Sequence, residues 1–126
     1  CYINGKVSYA KLAENTEFKN GLDRIRNGMK KYKMALMCAE KDPISCHRAI
    51  LISKNIQSKD VLIKHILENG DLEEHSKSEL RLMKLYGLDQ EELFNSFEDR
   101  LNEAYEQQAK KIAYAEETTD EEWLTT

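Results

Sequence analysis

The sequence predicts an α/β fold, in which helices pack on a small parallel sheet with strands at about 33–39 and 61–66, and a long helix follows at the C-terminus. Residues 34–39 form an almost continuous apolar run, as expected of a strand buried on both faces. A helix-start signal follows directly, and a second apolar run comes after that helix. A strand, a helix and a strand in this order form a right-handed crossover that joins parallel strands.

The region before the first strand is predicted to be helical. Ser8 is a candidate cap for a short helix through Ala13, and Thr16 is a candidate cap for a longer one, because their hydroxyls accept hydrogen bonds from free N–H groups. Asn27-Gly28 is the expected end of the longer helix. Its apolar residues recur three or four positions apart, as on one helical face: Phe18, Leu22, Ile25 and Met29.

The next helix is predicted to begin at Pro43, whose missing N–H and fixed φ suit the first turn. Asp42 is the expected N-cap, because a residue before proline avoids the helical region and its carboxylate accepts the free N–H groups. The apolar residues of this helix point almost all round, which indicates burial: Ile44, Ala49, Ile50, Leu51 and Ile52.

The second half of the chain is predicted to be mainly helical. Asn69-Gly70 indicates a turn, and one helix is expected to stop at Gly87. Asp89 and Glu92 are close to a capping box, so the long terminal helix is predicted to start there.

This terminal helix has an apolar stripe and a candidate break at Asn95-Ser96. It is predicted to be a packing arm or a homodimer surface, and the acidic residues 116–126 a disordered tail. The stripe consists of Phe94, Phe97, Leu101, Ala104 or Tyr105, Gln108 and Ile112.

Reactive side chains follow the first predicted strand and open the next helix. Cys38 lies at the carboxyl end of the strand, and Cys46-His47-Arg48 lie in the first turns of the helix. Ligands gather at this edge of such a unit, because the free N–H groups and the dipole of the helix favour anions. A thiol near a helix N-terminus, beside His and Arg, is expected to have a lowered pKa and to be partly thiolate near neutral pH.

The sequence therefore predicts a site for a thiol and an anion. The predicted catalytic residues are Cys46 as nucleophile or redox thiol, with His47 or Glu40 as the group that moves protons. The predicted substrate-binding residues follow the strands or lie in the loop and helix: Cys38, Arg48, Lys41 and His65.

Each of these residues also has a structural interpretation. Cys38 is equally expected to be a small core residue, and His47 to brace the loop. Arg48 and Glu40 are alternatively ion-pair partners of neighbouring charged residues. Histidines such as His65 are more often structural than ligands.

Three functions fit this predicted site, and the sequence leaves open whether the protein is an enzyme. The first is an enzyme acting on a nucleotide, a nucleic acid or another phosphorylated or anionic substrate. The second is a zinc site built from Cys38, Cys46, His47 and His65, whose spacing is not that of the common zinc modules. The third is a non-catalytic binding module for phosphate, nucleic acid or a protein partner. No cofactor is predicted.

The motif CAEKDP at 38–43, followed by CHR at 46–48, resembles the bacterial family known as domain of unknown function 488. A strand ending in His65-Ile66 with Gly70 soon after extends the resemblance, which covers nearly the whole chain. It implies a cytoplasmic α/β protein without an established activity. Family members also carry an N-terminal half, so the resemblance implies that residues 1–115 are the C-terminal portion of a single α/β domain.

Composition bounds the remaining possibilities. The chain of 126 residues is 33% charged and 40% hydrophobic, which is ordinary for one small domain. No secretory signal is visible, and no run approaches the roughly 18 apolar residues that a membrane span requires. Three cysteines are an odd number, which argues against a disulfide framework and favours a reducing compartment.

The net charge of −4 gives no overall attraction to nucleic acid. A basic stretch before the first strand is either a phosphate-facing rim or a solvated helix face: Arg24, Arg26, Lys30, Lys31 and Lys33.

Overall fold

The structure is a computed structural model, which describes the backbone of residues 2–3, 6–7 and 9–124 and the side chains of residues 11–113. It is rich in helix and contains two small antiparallel hairpins. In the first hairpin, β1 (Tyr2–Ile3) pairs with β2 (Lys6–Val7).

Two helices follow, α1 (Tyr9–Glu14) and α2 (Thr16–Met29), close to the predicted bounds. The cap of α2 is Asn15 rather than Thr16, because the Asn15 side chain accepts a hydrogen bond of 3.2 Å from the N–H of Phe18. The predicted cap of α1, Ser8, lies outside the described residues.

The predicted parallel sheet is wrong. Within the described part of the chain, residues 33–38 are irregular and belong to neither sheet, and Met37 in this segment is 96% exposed. The predicted burial of this run is wrong too, since residues 33–39 are exposed. A strand forms only where a neighbour completes its backbone hydrogen bonds. Each of the two described hairpins pairs its strands within itself.

The second predicted strand is shorter and antiparallel. β3 (Lys64–Ile66) pairs with β4 (Leu72–Glu74) in the register that places His65 opposite Glu73. The turn between them is closed by Gly70, whose φ is +88°. A loop this short permits only antiparallel pairing, since a parallel pair needs a crossover of about a dozen residues or more.

After a 3₁₀ turn at Pro43–Ser45, a π-helical segment (Arg48–Ser53) continues into α3 (Lys54–Ile56). Helix α4 (His75–Leu85) ends just before Gly87, as predicted, where φ is +67°. The long C-terminal helix is α5 (Phe97–Leu124).

The predicted start of the long helix at Asp89 is wrong. The N–H of Asp99 bonds the side chain of Ser96 at 3.1 Å, so the helix is capped at the predicted break. Leu93, close to the predicted start, is 90% exposed. Helix α5 continues to Leu124 and so includes most of residues 116–126, for which the sequence predicts a disordered tail. The disorder of these residues stays a prediction.

The core lies between α4, α5 and the π-helical segment. Its buried members come from all three and from the loops beside them: Ile44, Ile50, Leu51, Leu82, Met83, Leu88, Ala104, Tyr105 and Ala113. Among the described residues, none of the helices combines the length and the apolar content needed to cross a membrane.

Candidate functional site

The loop that carries the sequence motif begins as predicted. The Asp42 carboxylate accepts a hydrogen bond of 3.2 Å from the N–H of Ile44, and Pro43 occupies the first helical position. The N–H of Cys46 then bonds the carbonyl of Pro43 at 3.2 Å, which closes a single turn. Asp42 is therefore an N-cap, but of one 3₁₀ turn only.

Cys46 interrupts the helix that was predicted to run on from Pro43. Its backbone is extended, with φ −134° and ψ 149°. Its carbonyl accepts from the N–H groups of Ala49 and Ile50, at 3.3 and 3.2 Å, and thereby starts the next helical segment. Its sulfur accepts from the N–H of Arg48 at 3.5 Å. The sulfur thus takes the place that the side-chain oxygen of an N-cap usually fills.

The sulfurs of Cys38 and Cys46 are joined as a disulfide, with the Cα atoms 7.0 Å apart. The expectation of no disulfide is therefore wrong for this pair, and Cys46 is not a free thiol in this state. An odd cysteine count excludes only that every cysteine is paired. Cys38 is exposed whereas Cys46 is 1% exposed, so the bridge joins a surface sulfur to a buried one.

Arg48 closes the motif loop. Its guanidinium donates hydrogen bonds of 3.3 Å to the backbone carbonyls of both Glu40 and Lys41. The predicted proton carrier Glu40 thus contributes a carbonyl to this contact, with its side chain exposed. His47 is half-buried beside it. Arg48 thereby joins the start of the π-helical segment to the part of the loop that lies between the two cysteines in sequence.

Two ion pairs tie the loop to the second hairpin and to α4. Lys41 bonds Glu68 at 3.0 Å, on the surface. Arg81 reaches Asp42 at 3.0 and 3.2 Å and Glu73 at 2.8 and 2.9 Å. These hydrogen bonds from the guanidinium lower the pKa of both carboxyl groups below their ordinary values. No sequence pattern predicts this role of Arg81, because Asp42 lies 39 residues before it.

A chain of buried hydrogen bonds lies behind the loop. His65 and His75 meet at 2.8 Å, His75 meets the Tyr105 hydroxyl at 3.0 Å, and that hydroxyl donates to Glu79 at 2.7 Å. Because the single hydroxyl hydrogen goes to the carboxylate, Tyr105 accepts from Nε2–H of His75. Nδ1 of His75 then accepts from Nε2–H of His65. Each group therefore donates a hydrogen bond to the next one in the chain, which ends at the carboxylate of Glu79.

Burial lowers the pKa of His65 and of His75 to about 4. At His65 the neighbouring ring and then Arg48 contribute to this lowering of the pKa, after burial. The pKa of Tyr105 is raised well above its usual range by burial and by the carboxylate of Glu79. At neutral pH both imidazoles are therefore uncharged.

The structure brings most of the predicted site residues together, in one loop: Cys38, Glu40, Lys41, Cys46, His47 and Arg48. It adds residues that no motif indicated: Glu73, Glu79, Arg81, Tyr105 and Gln108. One signal was present in the sequence, because Gln108 is a polar residue inside the apolar stripe of α5.

Two other features bear on ligands. Among the described residues, no group of three or more His, Cys, Asp or Glu side chains is arranged to hold a metal ion. The disulfide also occupies the two sulfurs of the predicted zinc site. A cleft of about 390 Å³ lies between residues 57–63 and the start of α4, and its lining includes Lys59, Glu74 and His75.

Comparison with known proteins concerns the first part of the chain. The family model described as Domain of unknown function DUF488 matches residues 2–54. The match contains the complete motif from Cys38 to Arg48 and stops before His65. The resemblance predicted from the sequence extends over nearly the whole chain and implies a C-terminal portion, whereas the match covers the N-terminal part of the chain. Neither the curated proteins nor the solved structures contain a match to the chain. Residues 2–54 are thus similar to the family described as Domain of unknown function DUF488.

Proposed function

We propose that the loop between Cys38 and Cys46 is a redox site that exchanges disulfides with thiols. One observation carries the proposal: an exposed cysteine is bonded to a buried one whose sulfur accepts an N–H hydrogen bond from Arg48. This asymmetry suits thiol–disulfide exchange, in which one sulfur is attacked and the other leaves as a thiolate.

The exposed sulfur of Cys38 receives the incoming group. A substrate thiolate attacks it, a new sulfur–sulfur bond forms, and the bond to Cys46 breaks with its electron pair left on Cys46. The N–H of Arg48 and the start of the helix stabilise that thiolate. A leaving thiol with a lower pKa leaves faster, so this arrangement favours attack at Cys38.

A second substrate thiolate completes the reaction. It attacks the substrate sulfur of the mixed disulfide and releases Cys38 as a thiolate, which takes up a proton. The substrate leaves as a disulfide, and the protein has gained two electrons as a Cys38/Cys46 dithiol. Glu40 and His47 remain the candidates for moving the protons, as the sequence predicts.

Anion binding by the predicted residues has less support. Arg48 donates to two loop carbonyls, and Lys41 pairs with Glu68. Both side chains therefore have protein partners where a substrate anion was expected, and the proposal takes a thiol rather than a phosphate as the reacting group.

The test measures the equilibrium of the cysteine pair with glutathione. A Cys1→Ser variant, which leaves only Cys38 and Cys46, is equilibrated across a series of glutathione ratios, alkylated and analysed by mass spectrometry. We expect both cysteines to become protected from alkylation together, in one two-electron transition. Two cysteines that stay reduced at every ratio would contradict the proposal.

Single substitutions separate the two sulfurs. In Cys46→Ser the exposed Cys38 has no internal partner, so its mixed disulfide with glutathione should accumulate. In Cys38→Ser the buried Cys46 should form that mixed disulfide much more slowly. Equal rates in the two variants would contradict the assignment of Cys38 as the attacked sulfur.

A further inference from the structure

Gln108 on α5 is a buried polar side chain, 2% exposed, whose two ends are both paired. Its amide nitrogen donates a hydrogen bond of 2.5 Å to the carbonyl of Ile44. Its amide oxygen accepts one of 2.5 Å from the hydroxyl of Tyr86. Satisfied in this way, the amide avoids the cost of about 1–3 kcal/mol that an unpaired buried group carries.

The carbonyl that Gln108 holds belongs to the turn that carries Cys46. Ile44 is the central residue of Pro43–Ser45, and the N–H of Cys46 closes that same turn on Pro43. Asp42 fixes the beginning of the turn through the N–H of Ile44. Gln108 fixes it from the other side, against the core.

The position of this turn sets how close the two thiols are held when the bridge is open. A disulfide is more stable when its thiols are held at a higher effective concentration. We infer that Gln108 is a positioning residue for the Cys38/Cys46 pair and that Tyr86 orients it. Gln108 acts through the backbone of Ile44. This inference rests on the proposed redox function.

The test uses three variants in the Cys1→Ser background. Gln108→Leu removes both hydrogen bonds, and Tyr86→Phe removes only the one that orients the amide. The matched control is Gln107→Leu, since Gln107 is the adjacent residue and bonds only Glu103, at 3.3 Å. The measured quantity is the equilibrium constant of the pair with glutathione.

We expect Gln108→Leu to lower this constant by roughly tenfold, which corresponds to about 30 mV in the two-electron potential. Tyr86→Phe should lower it by a smaller factor, and Gln107→Leu should leave it unchanged. A purely structural role for Gln108 would lower the free energy of unfolding and leave the constant as it is, and this outcome would overturn the inference.

Two other outcomes require a different measurement. If Gln108→Leu does not fold, Tyr86→Phe decides alone, and an unchanged constant in that variant refutes the positioning role. If the parent protein shows no two-electron transition, the proposed function fails. The pH profile of Cys46 alkylation in reduced protein then tests Gln108 separately: a higher apparent pKa in Gln108→Leu supports positioning, and an unchanged profile refutes it.

Discussion

His65 and His75 share a hydrogen bond of 2.8 Å between ring nitrogens, with both side chains buried. The bond joins strand β3 to the first residue of α4, and Tyr105 extends it to α5. Both imidazoles are neutral, since burial lowers the pKa of each to about 4. A hydrogen-bonded pair of neutral rings in this place makes the stability of the protein sensitive to acid.

We predict that the free energy of unfolding falls as the pH is lowered from about 6.5 towards 4. In this window the unfolded state protonates its histidines, whereas folded His65 and His75 stay neutral. Each proton taken up on unfolding lowers the free energy by about 1.4 kcal/mol per pH unit. Urea unfolding at several pH values measures the slope. The double variant His65→Gln/His75→Gln should flatten it, and a flat profile in the parent protein would refute the prediction.

Tyr105→Phe should destabilise the protein by about 1–3 kcal/mol, because it leaves a buried histidine donor and the carboxylate of Glu79 without their partner. The ring itself, which lies 4.7 Å from the ammonium group of Lys54, is retained in this variant. Tyr32→Phe is the matched control, since Tyr32 is 72% exposed. Urea unfolding compares the two, and equal losses would show that the hydroxyl of Tyr105 contributes nothing specific.

Arg81→Gln should lower the free energy of unfolding by about 1 kcal/mol, and less at high salt, because the Arg81 side chain is 39% exposed and solvent screens its ion pairs. Combining this change with Asp42→Asn in a double-mutant cycle isolates the contact that holds the motif loop to α4. Arg24→Gln serves as the control, because Arg24 is an exposed arginine on α2. A coupling energy of zero between Arg81 and Asp42 would mean that the contact does not stabilise the loop.

Reduction of the disulfide should lower the free energy of unfolding by about 2.5 kcal/mol, the chain-entropy value for a bridge that spans eight residues. The experiment compares urea unfolding of the Cys1→Ser variant with and without reductant. The double variant Cys38→Ser/Cys46→Ser in the same background should have the same free energy of unfolding as the reduced protein. Addition of reductant should not change that value. If the reductant changes the stability of that double variant as well, its effect does not come from the bridge.

Local signals in the sequence were the most dependable. Asp42 and Pro43 do open a turn, Gly87 does follow the end of α4, and the helix period in 16–29 is correct. Each of these depends on a few neighbouring residues whose backbone geometry is limited by the side chain itself. The apolar run at 34–39 predicted both burial and a strand, and both predictions are wrong, because an apolar run does not specify the neighbouring strand that would cover it.

The site was also predicted in its local features and not in its long-range contacts. The motif placed its reactive residues in one loop, and spacing alone predicted neither the bridge between Cys38 and Cys46 nor the extended backbone at Cys46. Contacts between distant parts of the chain could not be predicted, since a single sequence gives no sign that Tyr105 contacts His75. These contacts follow from how the helices pack, which no local pattern encodes.

The hydrogen bond from Gln108 to Ile44 also joins two parts of the chain that are translated at different times. The chain grows from its N-terminus, and 64 residues separate the two partners. At about 5–20 residues per second, the ribosome adds Gln108 roughly 3–13 s after the motif loop. Cys38 and Cys46 are therefore translated several seconds before Gln108, and during that interval the turn at Pro43–Ser45 lacks its hydrogen bond to α5.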